Sequence, residues 1–66
     1  MNWIPVSSSR MVAVAHEGNT MYIEFTDGAR YAYTNVSASE FNNFLNSPSL
    51  GSELVTFQER HPYHRV

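Results

Sequence analysis

Residues 21–34 constrain this chain more than any other stretch. Met21, Ile23 and Phe25 alternate with Tyr22, Glu24 and Thr26, a period of two that belongs to a strand with two unlike faces. Asp27-Gly28 follows, a dipeptide that tolerates positive φ in a tight hairpin turn. Ala29 to Thr34 then alternates again, with Tyr31 and Tyr33 on one face. This is the pattern of a β-hairpin. Just upstream, Met11-Val12-Ala13-Val14-Ala15 is a short valine-containing apolar run closed by Glu17-Gly18-Asn19. It reads as a further strand, and the three form an antiparallel meander. Ahead of them, Trp3-Ile4-Pro5-Val6 is apolar, and its proline restricts it to an edge strand or an extended lead-in. Ser7-Ser8-Ser9 is a polar turn.

Beyond Val36 the period changes. Ser37-Ala38-Ser39-Glu40 has the form of a capping box, in which Ser37 satisfies the amide at position 40 while Glu40 reaches back. Phe41, Phe44 and Leu45 lie on one face at helical spacing, and Val36 can staple against Phe41. Pro48 stops this helix near Asn46 or Ser47. Ser49-Leu50-Gly51-Ser52 reads as a turn, and Glu53 to Arg60 as a second short helix that buries Leu54 and Phe57 and ends before Pro62. The tail Tyr63-His64-Arg65-Val66 adds an edge strand or stays loose. The expected fold is a single α+β domain over residues 1–66, with a three- to four-stranded antiparallel meander and one or two short helices on one face.

The hairpin turn decides which side chains are wet. A two-residue turn sets Glu24 opposite Tyr31 and Tyr22 opposite Tyr33, leaving Tyr22, Tyr31 and Tyr33 as an aromatic patch away from the helices. A three-residue turn with Gly28 as a bulge slips the register by one and sends Tyr31 and Tyr33 into the core beside Ile23 and Phe25. The alternation alone is compatible with both. The small size of the core favours burial of the two rings.

Charge narrows the function classes. The 66 residues carry six carboxylates against four cations, all arginine, for a net charge of -2. Duplex DNA is held by neutralising many phosphates along a basic stripe, and four dispersed arginines do not supply one. A small anionic ligand, an RNA loop or a protein partner needs fewer cations. With no cysteine there is neither a disulfide framework nor a thiolate metal site. No apolar run approaches the roughly 18 residues of a membrane span, and Met1 to Val6 lacks the features of a secretory signal, so a cytoplasmic location is expected.

Several of these segments together resemble a known family. Val6-Ser7-Ser8-Ser9, Phe25-Thr26-Asp27-Gly28, Tyr31-Ala32-Tyr33 with Val36 behind it, Ser49-Leu50-Gly51 and the closing Arg60-His61-Pro62-Tyr63-His64-Arg65-Val66 are similar in order and spacing to the KTSC domain. That family is named for the C-terminal appendage of some lysyl-tRNA synthetases and also occurs as small bacterial and phage proteins. Its hallmark Tyr-x-Tyr corresponds to Tyr31 and Tyr33. His16 departs from the family, where tyrosine is commoner, and so does the absence of lysine. Through the synthetase context, the resemblance implies RNA binding.

The candidate binding residues follow from these readings. Tyr31 and Tyr33, if exposed, form a platform on which bases stack, with Arg10 and Arg30 as nearby cations. Ser8 belongs to a hydroxyl-rich turn ending in Arg10, able to present donors to a phosphate, although such turns more often bond their own backbone. The tail segment with Arg60, His61, Tyr63, His64 and Arg65 is the only locally basic stretch and the first choice for a contact surface. A metal site built on His61 and His64 lacks ligands, and no nucleophile elbow, phosphate loop or carboxylate pair marks a catalytic centre. The expected function is a non-enzymatic module without a cofactor that binds RNA or a nucleotide-like anion. The alternative is a phage or bacterial interaction or inhibitor protein, in oligomeric form able to sequester a signalling nucleotide between subunits. Trp3, Phe41, Phe44, Leu50 and Leu54 motivate it, as a surplus of large apolar groups for so small a domain.

Overall fold

Two turns set the sheet. In the computed structural model, which describes residues 1–66, Gly18 and Asn19 adopt φ values of 57° and 56°. Positive φ at both central residues is the turn type whose twist suits a two-residue hairpin. It joins β2 (Met11–Glu17) to β3 (Thr20–Phe25), with Glu17 opposite Thr20. The second turn, Thr26-Asp27-Gly28, joins β3 to β4 (Arg30–Tyr33). Phe25 N–H donates to Ala29 O at 2.8 Å, Gly28 N–H donates to Phe25 O at 2.9 Å, and Gly28 sits at φ 90°. This is the three-residue turn. Its register pairs Met21 with Tyr33 and Ile23 with Tyr31, so both tyrosines share the face of Ile23 and Phe25.

The sheet has five antiparallel strands, not three or four, in the order β1-β2-β3-β4-β5. Both flanking segments became strands. β1 (Ile4–Pro5) pairs with β2, and β5 (Tyr63–Arg65) pairs with β4. The chain-end segments were ambiguous in sequence because their short runs carry no periodicity. Their strand character comes from the open edges of β2 and β4.

Helix α1 (Ala38–Leu45) begins at the capping box: Glu40 N–H donates to Ser37 Oγ and Ser37 N–H to Glu40 Oε1, each at 3.1 Å. Helix α2 (Leu50–Arg60) starts three residues earlier than its apolar pattern indicates. Ser49 is its N-cap and accepts from Ser52 N–H, so Leu50-Gly51-Ser52 is the first helical turn, not a separate loop. Both helices cover the face carrying Tyr31 and Tyr33. One buried cluster contains Met11, Val14, Met21, Ile23, Tyr33, Val36, Phe41, Phe44, Leu54 and Phe57. Neither helix is long and apolar enough to cross a membrane.

Burial also redraws the apolar surface. Phe41, Phe44 and Leu54 lie in the core, and Leu50 packs against it. Trp3 is half-buried beneath the Arg30 guanidinium, which lies 4.9 Å from its ring centroid on the sheet face opposite the helices. The surplus expected from these residues is therefore largely consumed. The large apolar groups left exposed are Met1, Ile4, Val12, Val55, Tyr63 and Val66.

Candidate functional site

A cleft of about 470 Å³ opens where β4 and β5 meet α2 and the β3–β4 turn. Its aromatic wall follows from the register. Tyr33 is fully buried and forms part of the floor, its hydroxyl donating to Gln58 Oε1 at 3.2 Å. Tyr63, directly across the β4–β5 ladder, stacks on it with ring centroids 5.3 Å apart and planes 28° apart. Tyr31 sits 6.2 Å from Tyr63 and meets Phe25 edge-on at 5.7 Å. These offset and edge-on geometries are the ones favoured between aromatic rings. Tyr63 is 49% exposed and is the ring with a free face.

The cations sort just as sharply. Arg30 donates from Nε and Nη2 to Glu24 Oε1, at 3.1 and 2.9 Å, on the far face of the sheet. Arg60 lies 3.8 Å from Glu53 on the outer side of α2. Arg10 and Arg65 have no ion-pair partner, and both line the cleft. The Arg10 stem runs past Gly51, where a Cβ would lie 3.7 Å from its Cδ. Asp27 is the one carboxylate at the rim, with Oδ1 accepting from Ala29 N–H at 3.0 Å. Burial pushes the Tyr33 phenol up to about 12, with Tyr63 and Tyr31 adding to the rise and Arg10 opposing it.

Five of the residues singled out from sequence, Arg10, Tyr31, Tyr33, Tyr63 and Arg65, therefore meet in one place. Four do not. Ser8 Oγ accepts from Arg10 N–H at 3.2 Å, closing its own turn, and its neighbour Ser9 reaches the cleft instead. His64 faces the opposite side of the sheet, paired with Ala32. Arg60 is turned away on α2. His61 is not part of an exposed tail at all. It is buried against Phe57 with ring centroids 4.3 Å apart, and its Nδ1 donates to Thr34 O at 3.2 Å. Its Nε2 lies 3.1 Å from Glu40 Oε2, at ion-pair distance. Sequence order made 60–65 look like one basic surface, but the helix end, the Pro62 corner and the strand alternation send its side chains four ways. Tyr33, being buried, is no stacking surface. It supports one.

The structure adds Phe25 and Gln58 to the site. Phe25 was legible once the three-residue turn was chosen, because it then shares a face with Tyr31. Gln58 carried no signal, since only the docking of α2 brings it to the Tyr33 hydroxyl. His16, the family departure, donates from Nε2 to Val36 O at 2.7 Å and stacks on Phe41 at 5.1 Å. No three His, Asp or Glu residues gather where they could hold a metal ion.

Comparison with protein-family profiles matches the KTSC domain over residues 7–63. The chain belongs to this family. Within this KTSC domain Tyr33 is packed into the core and Tyr31, two residues earlier on the same face, is half-exposed at the cleft. A search of curated proteins finds no match.

Proposed function

We propose that this KTSC domain is a small non-catalytic module that binds a nucleotide-like anion, free or as one unit of RNA, in the Arg10–Tyr63–Arg65 cleft. The observation that carries the reading is the convergence of the two unpaired arginines with the exposed ring of Tyr63. A guanidinium offers a planar fork of donors suited to phosphate oxygens. A tyrosine face suits a base, with stacking worth roughly 1–3 kcal/mol. The cleft volume of about 470 Å³ falls in the ordinary range for small-ligand sites, and suits one nucleotide unit better than an extended strand.

Calorimetric titration with inorganic phosphate, a nucleoside monophosphate and a short single-stranded RNA tests the reading. Binding of the monophosphate with weaker binding of phosphate alone supports it. RNA binding in addition, competing with the monophosphate, assigns RNA as the source of the unit. Absence of heat with all three ligands overturns the proposal.

A further inference from the structure

The two edges of the sheet are not alike. In the β1–β2 ladder Ile4 lies opposite Val14, and Val6 N–H donates to Val12 O at 3.1 Å. Hydrogen-bonded positions alternate along an antiparallel pair, so Pro5 faces outward, where it has no N–H to offer. That edge is closed to a further strand.

The β5 edge is open. Thr34 N–H donates to Pro62 O and Val66 N–H to Arg30 O, both at 2.9 Å. By the same alternation His64 exchanges its bonds with Ala32, and Tyr63 and Arg65 turn their N–H and C=O groups away from β4. All three β5 residues are exposed. The strand is only three residues long and ends on a charged Arg65, both of which temper an edge, but it contains no proline or bulge to block pairing. Apolar surface lies on and just beyond it, with Tyr63 in the strand 49% exposed and Val66 after it 62% exposed.

We propose that β5 is the self-association edge of this protein, two copies pairing β5 against β5 antiparallel about a two-fold axis through His64. In that register Tyr63 of each copy lies opposite Arg65 of the second copy. The outward-facing groups of these residues form the hydrogen-bonded pairs. The occupant is a second copy because the edge is complementary to itself. A two-fold contact needs residue i to meet j and j to meet i, and here that pairing sets an aromatic ring beside a guanidinium that has no partner within its own chain. Tyr63 and Arg65 share the cleft face with Tyr31 and Tyr33. Each cleft therefore gains a cation from Arg65 of the second copy. Only this consequence rests on the nucleotide reading; the strand pairing does not.

The test uses the free protein. Sedimentation equilibrium should show an average mass rising from 7.5 kDa toward about twice that value as concentration increases. In the paired register the two His64 residues are non-hydrogen-bonded partners with Cα atoms about 4.5 Å apart, within disulfide reach. The chain has no native cysteine, so His64→Cys should oxidise to a covalent dimer many times faster than Asn43→Cys, placed on the exposed side of α1. A mass of 7.5 kDa at every concentration, or crosslinking of His64→Cys no faster than Asn43→Cys, overturns the proposal. Repeating the titrations separates the two ideas. A dimer that binds no nucleotide overturns only the earlier reading, and a monomer that binds one overturns only this one.

Discussion

Tyr63 lies on Tyr33 across the β4–β5 ladder, ring centroids 5.3 Å apart, so a fully buried phenol carries a half-exposed one. The core thus extends directly into the cleft. Tyr33 is held from below by Phe57, edge-on at 6.1 Å, and from the side by Gln58. Rigid support of this kind lowers the ordering cost of a stacking surface. It also separates residues whose loss unfolds the protein from residues whose loss only empties the site.

That separation predicts ligand binding. Tyr63→Ala should weaken nucleotide affinity by roughly 5- to 150-fold, the equivalent of about 1–3 kcal/mol of stacking. Arg65→Ala should weaken it by at least about tenfold through loss of a charge-assisted bond. Arg60→Ala should leave it unchanged, because that side chain lies on the outer face of α2. Titration calorimetry on the three variants checks the pattern; equal effects of Arg60 and Arg65 would place the ligand elsewhere.

The Tyr33 phenol, raised to about 12, makes stability depend on alkaline pH. Because the folded value lies above the unfolded one near 10, the protonated phenol favours the folded state. That contribution is complete below pH 10 and is lost as pH rises toward 12. Denaturant midpoints at pH 9 and 11 should therefore diverge, and Tyr33→Phe should reduce the divergence. At neutral pH the same variant should cost about 1 kcal/mol through the lost bond to Gln58.

The acidic limb has its own origin. Ser37 N–H and, less strongly, His61 hold the Glu40 carboxyl below its usual range. A depressed folded value means that the contribution is present above the unfolded value and disappears as pH falls through the folded one. Glu40→Gln should flatten the decline in stability below pH 4.5, followed by circular dichroism. Ser37→Ala should cost about 1 kcal/mol at neutral pH through loss of the cap.

Two glycines should respond with opposite signs. Gly28 sits at φ 90°, a conformation that L side chains rarely adopt, so Gly28→Ala should destabilise by about 1–2 kcal/mol. Gly51 occupies the first turn of α2, where an added Cβ meets only the Arg10 Cδ at 3.7 Å. Gly51→Ala should therefore stabilise by about 0.5–1 kcal/mol through lower entropy of the unfolded chain. Thermal denaturation of both variants measures the difference in sign.

Local chemistry determined the elements. The alternation of residues 21–26, the capping box at Ser37 and Glu40, and the prolines at 48 and 62 each act over a few residues, and all are visible without the fold. The α2 start was misplaced because Ser49 caps a turn whose residues, Leu50-Gly51-Ser52, lack the apolar spacing of the rest of the helix. The hairpin register was open in sequence, since one residue of turn length exchanges the two faces of a strand and both turns suit Asp27-Gly28. Tertiary packing decided it, because only the three-residue turn buries Tyr33 against Phe57. The candidate site was half legible for the same reason. Residue type singled out Arg10, Tyr31, Tyr63 and Arg65. Which arginines remain unpaired, and that His61 is buried while Tyr63 is not, depend on contacts between segments far apart in the chain, which local composition does not encode.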